Sequence, residues 1–401
     1  MDMFQRTCYL EAVRAALGSA FLLAVALGSG CAGRATALET AHVDGADAAF
    51  ALALWDAMAP EGNAAISPLV LRDALTLTHI GARGAAARSI ERALGARSRA
   101  ELRGRASPTD SEQLARAVNV WVDPSLGLDA RYVAAVDARF GVRPDALDLR
   151  GAPAAARETI NAWISARTRS KIPALLPADA ISVDTRVVLA SALAFAGAWA
   201  RPFDPERTVR GEFEMRDGAR VETPLMMLED QLRYGWREDG WGMLELPYEG
   251  GRYSLGLILP PPEARARPPG EGLTPALLDA LWGGLQEGRA LVVLPRFTLA
   301  GETVGLRGAL TRLGMAPLFE DPRALAGLAA EPLALEELYV STFVEVDERG
   351  TKATAAAAAV VGLRSGPTRV AFTRPFVFAL RDGETGALVL LGQVVDPTRG
   401  A

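Results

Sequence analysis

The run TRVVLASALAFAGAW, Thr185 to Trp199, is apolar or small at nearly every position after Arg186. It suits a strand buried on both faces. A chain of 401 residues, 50% of them hydrophobic, can enclose such a strand in a large core without metals or disulfides. Helical spacing dominates the first half. Phe50, Ala53, Leu54, Ala57 and Met58 mark a first amphipathic helix that ends before Pro60 and Gly62. NAAISPLVLRDALTLTHIGARGAAARSIERALG predicts a short strand, a buried helix opened by Ser67-Pro68, a loop at Gly81 to Gly84 and a further helix closed by Gly95. NVWVD alternates as a strand, ARYVAAVDARFG reads as a helix, and ETINAWISARTRSKI predicts a helix ending before Pro173. The second half is rich in strands: a hairpin turned at Glu249 to Gly251, then ALVVLPRFTLAG, FVEVDE, RVAF, FVFALRD and ALVLLGQVV. The class is α+β. PPPEARARPPGEG, from Pro260 to Gly272, is a Pro-rich surface loop, and no repeat or linker divides the body.

A formal charge of −5 argues against nucleic acid or an acidic membrane surface as partner. Among 43 basic residues only Lys171 and Lys352 are lysine, a bias that makes single arginines and alanine runs less informative than usual. Arg6 and Arg14 precede AALGSAFLLAVALGSG, which predicts a secretion leader over residues 1–30. Gly28, Ser29 and Gly30 before Cys31 resemble a bacterial lipoprotein cleavage box, with Gly28 where Leu is usual. Cys31 is therefore the expected lipidation site, residues 31–45 a tether, and a lipid anchor the only expected membrane contact. The expected location is the outer membrane, periplasm or cell surface, or secretion if the cysteine is not acylated. Cys8 leaves with the leader, so no disulfide is expected.

Enzyme chemistry finds no anchor. The two histidines are His42, in the tether, and His79, inside an apolar helix where a satisfied, partly buried role is expected. The chain carries no H-E-x-x-H, C-x-x-C, G-x-x-x-x-G-K-[ST] or G-x-S-x-G motif. G-x-G-x-x-G at Gly28, Gly30 and Gly33 has no strand before it, and the pairs Glu336-Glu337 and Glu238-Asp239 read as solvated charge. No cofactor and no metal are expected.

Several separated segments together resemble the serpins over nearly all of Asp47 to Pro397. NAAISPLVLRDAL is similar to the family's N-x-x-x-SP-x-S-I-x-x-A-L segment, INAWISARTRSKIPALLP to I-N-x-W-V-x-x-x-T-x-G-K-I, and VVLASALAFAGAWARPF to the strand ending F-K-G-x-W-x-x-x-F. LELPYEGGRYSLGLILP, LPRFTL, LGMAPLF, EVDERGTKATAAA and FTRPFVFAL follow in family order. The resemblance implies one domain over residues 46–398, with three β-sheets, eight or nine helices and an exposed reactive-centre loop near 348–370. It also implies a hinge starting at Glu348 and a scissile bond at Arg364-Ser365, and the family's spacing from that bond to the FTRPF segment, which begins at Phe372, implies the same position.

The loop itself has the pattern an inserting strand needs. Thr351, Ala353, Ala355, Ala357, Ala359 and Val361 would share one face, all small or apolar, and no proline interrupts the ladder. Ala356 lies on the opposite face with Lys352, and Gly350 can absorb the backbone change. An ordinary alanine-rich helix is the plainer alternative. The expected function is suicide inhibition of a trypsin-like, Arg-specific protease by a monomer that is not an enzyme. The alternatives are a non-inhibitory carrier or an inhibitor of a cysteine protease. Ser67, Ser191, Trp199 and Val340 are the expected sheet-opening residues. Ser67 keeps the family's shutter residue, while Val70, Ser191, Val340, Arg349 and Ser170 depart from the pattern. The arginines from Arg83 to Arg105, interspersed with Glu91 and Glu101, read as a solvated surface rather than a polyanion site.

Overall fold

The computed structural model describes residues 45–104, 110–299, 303–350 and 366–399. Its first elements follow the local signals. They are helix α1 (Gly45–Met58), strand β1 (Ala64–Ile66) and helix α2 (Pro68–Gly81). Ser67 caps α2 by accepting from the Val70 amide, and Pro68 fills the first turn, where its missing N–H costs nothing. Every residue of α2 is buried, so His79 is fully enclosed rather than partly exposed, and its Nε2 lies 2.8 Å from Glu91 Oε1. Gly84, at φ 58°, then opens α3 (Gly84–Ala93), followed by α4 (Arg99–Gly104).

The next stretch runs through β2 (Leu114–Val122), α5 (Ala130–Phe140), β3 (Asp145–Ala146), α6 (Pro153–Arg167) and β4 (Val187–Phe195). The long apolar run is β4, buried at every residue after the first. Its alternate residues Ala190, Ala192 and Ala194 pack with Ile160 and Ile164 of α6, while Leu193 and Phe195 turn to the opposite core. Helix α6 stops five residues before Ile172, which corrects the expected end at Pro173. Arg169 and Ser170 take left-handed φ of 53° and 61°, so the chain turns before the proline.

The remaining elements are β5 (Val209–Glu214), β6 (Arg220–Trp236), β7 (Gly242–Pro247), β8 (Tyr253–Leu259), α7 (Pro275–Gly283), β9 (Gln286–Pro295), β10 (Phe297–Leu299), β11 (Val304–Gly305), α8 (Arg307–Leu310), α9 (Ala316–Glu320), β12 (Tyr339–Val346), β13 (Thr368–Ala371), β14 (Phe376–Asp382) and β15 (Leu388–Val394). ALVVLPRFTLAG does not form one strand. The chain leaves one sheet after Pro295 and joins another at Phe297, leaving Arg296 between them.

One six-stranded sheet has the order β10-β12-β4-β2-β3, with β11 also on β12. The other two sheets merge because the 17-residue β6 pairs with β5 and β9 over most of its length and with β7 at its end. They form a nine-stranded network ordered β1-β15-β14-β8-β7-β6-β9-β13 with β5 on β6. The hairpin between β7 and β8 turns at Gly250 and Gly251, both at positive φ, where the sequence places it. The Pro-rich segment holds a short 3-10 turn, Pro262–Ala264, and tucks in at Gly270, where a Cβ would come within 2.9 Å of the Trp55 indole nitrogen.

Candidate functional site

The centre of the six-stranded sheet is a parallel seam. β12 lies directly beside β4, pairing Val340 with Ser191 and, in step, Phe343 with Ala194. An extra strand entering the sheet here would part these two.

Beneath the seam the Ser191 hydroxyl ties the sheet to α2, and the Ser67 hydroxyl ties the start of α2 to β15. Ser191 Oγ donates to the Val70 carbonyl at 3.0 Å, and Ser67 Oγ donates to the Val389 carbonyl at 2.8 Å. Ser67, Ser191 and Val340 are all buried. Valine at Val70 and Val340 brings no side-chain hydrogen bond, so the polar link runs through serine hydroxyls and the Val70 backbone. Trp199, grouped with these residues on sequence, stands instead at the far end of β4. The sheet-opening set is thus two separate clusters.

At that upper end β12 leads into a tight turn from Asp347 to Gly350, closed by reciprocal main-chain bonds between those two residues. The segment after β4 grips the turn. The Trp199 amide donates to the Arg349 carbonyl at 3.1 Å, the Phe203 amide to the Glu348 carbonyl at 2.8 Å, and the Trp199 indole N–H to the Asp347 carbonyl at 3.0 Å. Trp199 is itself fixed by stacking on Tyr248, ring centroids 4.4 Å apart. Gly350, at φ 111°, is pressed against Gly197 to Trp199: a Cβ there would lie 2.3 Å from the Gly197 oxygen. Only glycine fits this approach.

The Glu348 side chain is buried. Arg296 Nε donates to both of its oxygens, at 2.8 and 2.7 Å, and the Thr208 hydroxyl adds a third bond. Burial works to raise the Glu348 pKa, but the hydrogen bonds from Arg296 and Thr208 together outweigh it and hold the group below its ordinary value. Its neighbour Asp347 is shifted the other way. Burial pushes that carboxyl up, Glu345 and Glu348 add to the shift, and the Arg349 amide opposes it.

Glu348 and Gly350, both expected in the hinge, lie in this turn after β12. Thr351, Ala353, Ala355, Ala356, Ala357, Arg364, Ser365 and Cys31 lie outside the described residues. Gly366 leads into β13, an edge strand parallel to β9, where Tyr234 donates to Thr368 at 3.0 Å. Arg296, Thr208 and Tyr248 belong to the site without standing out in the sequence. The signal for Arg296 was a lone charge inside ALVVLPRFTLAG.

Residues 46–397 match the family described as Serpin, serine protease inhibitor. The chain belongs to the serpin family. Human (Homo sapiens) antithrombin-III is 32% identical over 296 residues, covering 72% of this serpin and 63% of that protein, so the serpin spans less than two thirds of that relative's length. Serpin-ZXA of Oryza sativa subsp. japonica is 30% identical over 365 residues, covering 84% of this chain and 91% of that one. Intracellular coagulation inhibitor 1 of Tachypleus tridentatus is 28% identical, covering 86% and 87%. The crystal structure of native protease nexin-1 with heparin superposes with a TM-score of 0.75 at 24% identity, covering 88% of this chain and 98% of that one. That likeness establishes the α+β serpin fold of three sheets, and the family as a whole is one of protease inhibitors.

Proposed function

We propose that this serpin is a suicide inhibitor of trypsin-like serine proteases, cut at Arg364-Ser365. The observation that carries the reading is the closed β12–β4 seam with a glycine-hinged turn at its upper end, leading directly into the alanine-rich segment. The protease serine oxygen adds to the Arg364 carbonyl, the bond to Ser365 breaks, and the Ser365 amine departs with the proton, leaving an acyl-enzyme. The freed segment then enters the seam as a strand. About a dozen new backbone hydrogen bonds at about 1 kcal/mol net each would release on the order of 10 kcal/mol, enough to distort the attached protease before water reaches the ester.

Arg364 is the bait side chain, matched to a buried carboxylate in the protease's primary pocket. The test is a detergent-resistant complex between the purified protein and trypsin. Arg364→Ala should slow its formation by roughly 10³-fold or more, because the pocket carboxylate is left unpaired. An unchanged rate, or cleavage mapped to another bond, overturns the assignment of the reactive bond.

The acting form is a monomer, exported and tethered by a lipid on Cys31. The leader ending in Gly28, Ser29 and Gly30 supports this. Metabolic labelling with a fatty acid should mark the wild type and leave Cys31→Ala unlabelled; equal labelling of both rejects the tether.

A further inference from the structure

The turn that follows α6 runs above the seam, and its two long side chains reach to opposite sides of it. The Arg169 guanidinium donates to the Ser111 carbonyl at 2.7 Å and to the Glu112 carbonyl, both in the segment that enters β2. The Lys171 ammonium lies 2.9 Å from Glu345 Oε2 and 4.5 Å from the centroid of the Phe343 ring, on β12. Between these anchors stands β4, whose Phe195 pairs with Leu114 of β2 and whose Ala194 pairs with Phe343 of β12. Both anchors are therefore at the same level of the sheet, one on each side of the β12–β4 seam.

The turn has little slack. Arg169 and Ser170 occupy successive left-handed conformations, Ser170 N–H donates to the Ser165 carbonyl at 2.7 Å, and Lys171 N–H donates to the Thr168 carbonyl at 3.0 Å. Downstream, Asn161 Oδ1 accepts from the Leu175 and Leu176 amides, pinning the chain back onto α6.

We infer that Thr168 to Ile172 is a two-anchor strap across the insertion seam, and that Lys171 and Arg169 are positioning residues setting how fast the sheet opens. The inference rests on the reading that a strand inserts between β12 and β4. Admitting one strand moves β12 from β4 by about 4.8 Å. Contacts at hydrogen-bond distance on both sides cannot survive that displacement while the turn stays folded. One anchor must let go first, and the ammonium over Phe343 is the weaker, with no backbone acceptor. One of only two lysines in the chain thus holds the seam, and the other, Lys352, belongs to the segment proposed to enter it.

The test measures entry of a synthetic peptide copying Thr351 to Gly362, read as a mobility shift on native gels with increased heat resistance. Lys171→Met keeps the aliphatic stem and removes the charge, so entry should accelerate roughly tenfold from loss of the ion pair and the cation–π contact together. Glu345→Gln should accelerate it by roughly threefold, and the double variant should match Lys171→Met alone, because both changes break one anchor. Lys171→Arg should restore a rate within roughly twofold of the wild type, since the charge is kept. Acylation by trypsin, timed separately, should not change. Unchanged entry rates, effects of the two changes that multiply, or failure of the peptide to enter any variant would overturn the strap. Peptide entry requires no protease, so a wild type that traps none would reject the inhibitory reading without touching this result.

Discussion

Arg296 and Glu348 form an ion pair at the junction of two sheets: the arginine is the single residue between β9 and β10, and the carboxylate is buried at the end of β12. The pair fixes the root of the loop to the place where the chain changes sheets. Removing the guanidinium leaves a buried carboxylate with the Thr208 hydroxyl as its remaining side-chain donor. Because the Arg296 side chain is 46% exposed, the loss is smaller than for a fully enclosed pair. Arg296→Ala should cost about 2 kcal/mol, measured by urea unfolding, and should raise the rate at which the intact protein polymerises or inserts its own loop on warming.

The two neighbouring carboxyls predict opposite pH dependences. Glu348 is held below its ordinary value in the folded state, so its stabilisation is complete above the unfolded pKa, about 4.3, and is lost as pH falls through the folded one. Asp347 is raised, so the folded state binds its proton more tightly and stability declines as pH rises through the window above the usual carboxylate range. Unfolding curves from pH 3 to 7 provide the check. The stability gap between wild type and Glu348→Gln should close toward the acid end, and Asp347→Asn should gain on the wild type toward neutrality. A Glu348→Gln gap independent of pH would mean that the arginine contact contributes no charge-dependent stability.

Gly350 is fixed by space as well as by dihedral angle. Gly350→Ala would place a methyl 2.6 Å from the Trp199 nitrogen, which now donates to Arg349. The turn must lift off the Gly197 to Trp199 segment, at a cost of about 1–3 kcal/mol. Trp199, stacked on Tyr248, should report the movement as a change in near-ultraviolet circular dichroism. An alanine variant with wild-type stability and spectrum would show that the contact yields easily.

The features legible in the sequence were those written in neighbouring residues. Ser67-Pro68 marked the start of α2, the apolar run marked β4, and Gly350 marked a position of positive φ, because caps, burial patterns and positive φ are local demands. The Arg296–Glu348 pair was not legible, since its partners are 52 positions apart and a lone arginine in an arginine-rich chain carries little signal. The distance of Trp199 from Ser67, Ser191 and Val340 was not legible for a related reason. All lie along or beneath the β12–β4 seam or at its upper end, yet part of β4 separates them, and a motif gives order along the chain without distance in space. The early end of α6 lay in Arg169 and Ser170, whose left-handed turn replaces the break expected from Pro173.

Thr351 follows the anchored Gly350 and is the first side chain that would enter the seam on the inward face. In Thr351→Arg the bond at Arg364-Ser365 is untouched, so trypsin should acylate at nearly the normal rate. Insertion, however, now requires burying an unpaired guanidinium between β12 and β4, at a cost of several kcal/mol. Even about 3 kcal/mol on the insertion barrier is roughly a hundredfold slowing. Deacylation then wins, and the variant should be cut as a substrate and released with active protease. The cleaved wild type should gain heat resistance that the cleaved variant gains less of, because that gain comes from the same inserted strand. A Thr351→Arg protein that still traps trypsin with unchanged stoichiometry would mean that the loop does not enter the seam hinge-first, and that the protease is held by some other contact.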